Sequence, residues 1–86
     1  MYVILVYDIR QKRVGKVMKI CRKYLVHVQR SVFEGQLTES KLNHLKKEIK
    51  KVVVPEEDAV CIYQMENMKY SKKEQLGVTP IFSNII

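Results

Sequence analysis

Tryptophan is absent from this 86-residue chain, cysteine and proline occur twice each, glycine occurs three times, and acids are few beside bases, nine against sixteen. The cysteines, Cys21 and Cys61, lie far apart inside apolar patterns with no CxxC and no neighbouring histidine pair, which excludes a zinc site and a disulfide scaffold. Both are expected to be reduced, buried and structural. Gly15, Gly35 and Gly77 stand singly, so no glycine loop cradles a nucleotide phosphate. His27 and His44 bear no spacing relation to a nucleophile, and Ser/His/Asp catalysis has no support. The aromatics Tyr2, Tyr7, Phe33 and Tyr63 do not form the basic-aromatic string of an RNA-recognition module. The longest apolar run, residues 1–7, is far shorter than the roughly 20 residues that cross a bilayer. No basic stretch precedes it as a signal peptide requires. The expectation is a cytoplasmic chain without membrane contact.

What is present is an apolar fraction of 47%, too high for disorder and suited to one compact domain. At this length folding buries roughly 64% of the unfolded chain's surface, a marginal amount, so a homo-oligomer is expected. Charge is unevenly placed. Residues 1–33 hold eight Lys/Arg against one acid, Asp8, whereas residues 34–86 hold eight of each sign. Solubility needs no such concentration, which points to a polyanion and, in a small domain, to nucleic acid.

YVILVY (residues 2–7) is a continuous apolar run rich in β-branched and aromatic residues, the pattern of a central strand covered on both faces. From Lys12 the period changes. Val14, Val17, Met18, Cys21, Tyr24 and Leu25 fall within about 120° of helical arc, with Lys12, Lys16, Lys19 and Lys23 on the opposite side. Lysines at i,i+4 repel one another, so this stripe calls for a compensating anion, which phosphates supply. HVQRSVFEG (residues 27–35) has strand composition with imperfect alternation, predicting a bend or bulge near Arg30. Thr38 can cap a second helix running to about Lys51, with Leu42, Leu45, Ile49 and Val52 as its apolar stripe and a solvated lysine-rich outer face. Pro55 to Asp58 breaks that pattern before a strand, AVCIYQM (residues 59–65). Met68 and Tyr70 suggest a short edge strand, Leu76-Gly77 a turn, and residues 79–86 an apolar tail with few neighbours in its own chain.

This order predicts an α+β fold: a ferredoxin-like β-α-β-β-α-β domain over residues 1–78, an antiparallel sheet with two helices on one face. The tail 79–86, or the strand before it, is expected to be exchanged with or paired to the partner subunit of a homodimer. Fold alone does not decide function. Asp8, the one acid of the basic third, is either a strand-ending carboxylate paired with Arg10 or Arg13, or a metal ligand. Mg²⁺ is commonly held by one or two carboxylates, waters and substrate phosphate oxygens. A two-fold axis would bring a second Asp8 to the same ion.

The YVILVYDI start, the RVGKVMKICRKYL helix, the VQRSVFEG segment and the CIYQM strand, followed by Leu76-Gly77, together resemble the CRISPR-associated protein two family across nearly the whole chain. The resemblance implies ferredoxin-like homodimers that act as metal-dependent endoribonucleases or, in some members, double-strand deoxyribonucleases, and that serve as the scaffold between integrase dimers in spacer acquisition. Carried over by position, it implies Asp8 as the metal-binding and catalytic carboxylate and Tyr7 as the tyrosine beside it. Arg13 becomes the arginine opening the first helix, which neutralises transition-state charge, and Ser31 and Phe33 the second-strand motif. It also implies Mg²⁺ as the cofactor, with a homodimer, the CRISPR integrase, duplex DNA and single-stranded RNA as partners. The nucleic-acid contacts expected from charge are Lys12, Arg13, Lys16, Lys19 and Lys23. His27 and Gln11 stand where many members carry arginines. A DNA-binding scaffold without turnover, and a ribonuclease toxin of related architecture, are the alternatives.

Overall fold

The computed structural model describes residues 1–66. Its elements run β1 (Tyr2–Asp8), α1 (Gln11–Arg22), β2 (Val26–Gln29), β3 (Val32–Gln36), α2 (Glu39–Lys50) and β4 (Ala59–Met65). The sheet order is β2-β3-β1-β4 with every neighbouring pair antiparallel, the ferredoxin-like arrangement expected from the element order. The expected edge strand near Met68, the Leu76-Gly77 turn and the tail 79–86 lie outside the described residues.

Because side chains alternate along a strand, the central strand β1 supplies two cores. Val3, Leu5 and Tyr7 join Val17 and Cys21 of α1, Phe33 of β3, and Leu42, Leu45 and Ile49 of α2 in one buried cluster. Tyr2, Ile4 and Val6 turn the other way, with Val32 beside them and Val28, Tyr63 and Met65 packed against the group; no helical side chain belongs to this second cluster. Six of the seven β1 residues are buried, as an unbroken apolar run demands. The buried Glu34 stands on the far face as well. Burial, reinforced by a hydrogen bond to Glu34, pushes the Tyr2 hydroxyl up to about 12.

Of the two helices, α2 has a side-chain cap at its start and α1 has none. The Thr38 hydroxyl accepts from the Lys41 N–H at 3.2 Å and starts α2. Val52, expected within the helical stripe, lies just beyond its end and packs against the same core. Between β2 and β3 the register shifts at 27–29, placing the bulge slightly before Arg30. The turn that follows holds Ser31 at φ 57°, a left-handed conformation uncommon for a side chain larger than glycine. Cys21 is buried and burial raises its thiol to about 11, whereas Cys61 is only half-buried. Full burial of Cys61 was expected from its apolar strand. It opposes Val6 on β4, which has one strand neighbour among the described residues.

Candidate active site

Asp8 closes β1 on the face away from the helices, opposite Ala59 in the β1–β4 ladder. It is exposed, and its carboxylate has no hydrogen bond or ion pair among the described residues. Neither Arg10 nor Arg13 pairs with it. The Arg13 guanidinium turns instead to the segment before β4: Nε donates to Oδ2 of Asp58 at 2.6 Å, Nη2 to Oδ1 of Asp58 at 3.0 Å and to Oε1 of Glu57 at 2.6 Å. Asp58 also accepts from the Arg10 N–H at 2.9 Å and the Val54 N–H at 2.8 Å. Its side chain is 0% exposed, against 14% for Arg13 and 41% for Glu57. The guanidinium, helped by the two backbone N–H groups against the cost of burial, holds the Asp58 carboxyl well below the usual carboxylate range. The two carboxylates in turn raise Arg13, which stays charged at any working pH.

The lysine stripe is divided by its surroundings. Lys23 bonds Glu48 of α2, which also accepts from the Tyr24 hydroxyl, so part of the compensating charge is internal. These contacts lower the Glu48 carboxyl, chiefly through Lys23. Lys16, Lys19 and Lys23 line a shallow cleft floored by Ile20 and Val52. Lys12 lines another cleft with Arg10, Gln11 and Glu57, in the first turn of α1 just after Asp8. Lys12, Lys16 and Lys19 are exposed.

At the end of β1 one strand residue, Asp8, offers a divalent ion a free carboxylate. No group of three or more His, Cys, Asp or Glu suited to a metal occurs among the described residues. One hard oxygen donor suits Mg²⁺, which keeps several waters, but it needs a second carboxylate or substrate phosphates to complete the site.

A family model described as CRISPR associated protein Cas2 matches residues 1–73. The chain belongs to the Cas2 family. It is 49% identical over 78 residues to a Dictyoglomus turgidum protein named CRISPR-associated endoribonuclease Cas2, covering 91% of this chain and 90% of that one. A Thermotoga maritima protein of the same name matches with the same identity and coverage. The fold is similar to a crystal structure of Streptococcus pyogenes Cas2, with TM-score 0.78 and 28% identity, covering 90% of this chain and all of that one.

Of the positions carried over from Cas2 proteins, Asp8 presents the one carboxylate, exposed and without a hydrogen bond among the described residues. Tyr7 is buried on the helix face, where burial raises its hydroxyl, and its ring centre lies 6.1 Å from that of Phe33. Phe33 is 0% exposed and stacks against His27 at 4.6 Å. Ser31 contributes its carbonyl, which accepts from the Tyr7 N–H at 3.0 Å and extends the β1–β3 ladder. Asp58 was missed in the sequence, where Pro55 to Asp58 reads only as a break. The available signal was an acid placed immediately before a strand that pairs with the apolar, acid-ended β1.

Proposed function

We propose that the chain is a CRISPR adaptation subunit that binds nucleic acid as a homodimer, scaffolds the integrase during spacer acquisition, and cleaves phosphodiester bonds with Mg²⁺. The observation that carries this reading is the free Asp8 carboxylate at the rim of the far face, two residues before Arg10, which lines a cleft with Lys12 at the start of α1. The names of its relatives support the endoribonuclease class. A second copy laid on the far face would bring two Asp8 side chains to one axis. The Gln29 amide favours such a partner: it is buried at the bulge and lacks a hydrogen-bond partner among the described residues.

In this arrangement the two Asp8 carboxylates hold the ion, with Arg10 and Lys12 taking the phosphate. The bound ion supplies an activated water and neutralises phosphate charge. Lys16 and Lys19 extend the phosphate track along α1, about 18 Å long, without reading bases. Asp8→Asn should abolish Mg²⁺-dependent cleavage of single-stranded RNA or duplex DNA while light scattering still gives a dimer and duplex binding persists. Cleavage surviving in Asp8→Asn would overturn the reading.

The second reading is a scaffold without turnover. It is favoured by the state of the acids just before Ala59: Glu57 and Asp58 are both bonded to Arg13 and so are poor candidates for a general base beside Asp8. Under it, Asp8→Asn leaves integrase assembly unchanged and the wild type shows no cleavage to lose.

A further inference from the structure

Asp58 is saturated. Its Oδ1 accepts from the Arg10 N–H and Arg13 Nη2, its Oδ2 from Arg13 Nε and the Val54 N–H, four donors for two carboxylate oxygens. The chain around it is closed as tightly, with the Glu57 and Asp58 N–H groups donating to the Val54 carbonyl at 2.9 and 2.8 Å. One of these links, and the chain itself, reach the strand end that carries Asp8. Arg10, held through its N–H, lies two residues beyond Asp8, and Ala59, next after Asp58, is the residue paired with Asp8 across the ladder. Among the described residues Asp8 itself has no side-chain partner to orient it, so its placement there is that of the backbone beneath it.

From this we infer that Asp58 is the positioning residue for Asp8, and that Arg13 acts on the site through Asp58 instead of contacting substrate. The inference rests on Asp8 being the metal ligand. Two of the three guanidinium nitrogens are committed to carboxylates, and the two acids more than cancel the arginine's charge. What the group provides is a fixed fork, which lysine cannot reproduce. Asp58→Asn is nearly isosteric, yet either orientation of the amide sets an NH₂ against a pair of donors, releasing Arg10 or Val54.

The test is Mn²⁺ binding to the full-length protein without nucleic acid, followed by electron paramagnetic resonance of the free ion. Asp58→Asn should weaken binding by about 10- to 100-fold, the usual effect of disturbing the groups that orient a ligand. Arg13→Lys should weaken it in the same direction. The double variant should be no worse than Asp58→Asn alone, because residues acting as a unit are not additive. Glu48→Gln, which breaks a remote ion pair, should leave binding unchanged. Should Asp58→Asn not fold, Arg13→Lys alone decides: unchanged affinity overturns the inference. Additive losses would overturn it too, by giving Arg13 a role of its own. Normal binding by Asp58→Asn with binding lost in Asp8→Asn sinks this inference only; normal binding by Asp8→Asn removes the metal reading beneath it.

Discussion

Tyr7 and Asp8 are neighbours in the chain and stand on opposite faces of the sheet. The tyrosine belongs to the core beneath the helices and the aspartate to the rim of the far face. Two adjacent positions carried over together as a site are thus separated by one peptide plane into a packed ring and an exposed carboxylate.

The same division governs Phe33. Its side chain is fully buried against Tyr7 and His27, so Phe33→Ala should cost about 3–5 kcal/mol of stability. Urea unfolding checks this, and Phe33→Leu, which leaves a smaller cavity, should recover most of the loss. A variant with lost activity and wild-type stability would contradict the core assignment.

Ser31 holds φ 57°. Glycine adopts that conformation freely, so Ser31→Gly should be neutral or stabilising by up to about 1 kcal/mol, while a β-branched Ser31→Val should destabilise. Thermal unfolding of the two variants in opposite directions is the expected outcome. Equal losses would mean that the hydroxyl, not the backbone, matters there.

The elements with local signatures were legible in the sequence. The apolar run of β1, the 3.6-residue period of α1 and the Thr38 cap each lie within a few residues of what they determine, and Asp8 stood out as one acid among eight bases. Even the opposite facing of Tyr7 and Asp8 was there, in the strand's alternation. Asp58 and Arg13 were not legible as a pair, because 45 residues separate them. Only the antiparallel return of β4 alongside β1 brings them together.

Acid should unfold the protein through these contacts. The carboxyls of Asp58, Glu57 and Glu48 are all lowered in the fold, Asp58 and Glu57 chiefly by Arg13 and Glu48 by Lys23. A group lowered in the native state binds its proton first in the unfolded chain. Its contribution is therefore complete above the unfolded value of about 4 and disappears as pH falls through the folded one. Denaturant midpoints measured from about pH 6 down to pH 2 should fall, and Asp58→Asn should flatten that fall. An unchanged slope in Asp58→Asn would show that Asp58 is not the group being titrated.

Nucleic-acid affinity should follow the division of the lysine stripe. Each phosphate contact on duplex DNA contributes about −0.9 to the log–log salt slope. Replacing Lys12, Lys16 and Lys19 with glutamine should flatten the slope markedly, whereas Lys23→Gln should do so less, since Lys23 is already bonded to Glu48. Fluorescence anisotropy with a short duplex over a potassium chloride series measures both. Equal flattening for each lysine would mean that the Glu48 bond opens on binding.

The shifted register of β2 bears on how the protein behaves when crowded. A flat outer strand with a full row of unpaired amide and carbonyl groups is a seed for sheet growth from molecule to molecule. Here the outermost strand is only four residues long and its hydrogen-bonding row is broken at 27–29, so it makes a poor template for an incoming strand even though Val26 is 66% exposed. Repairing the bulge by deleting one residue at 28 or 29 would lengthen the regular edge. Such a chain should keep its core and lose its resistance to filament formation.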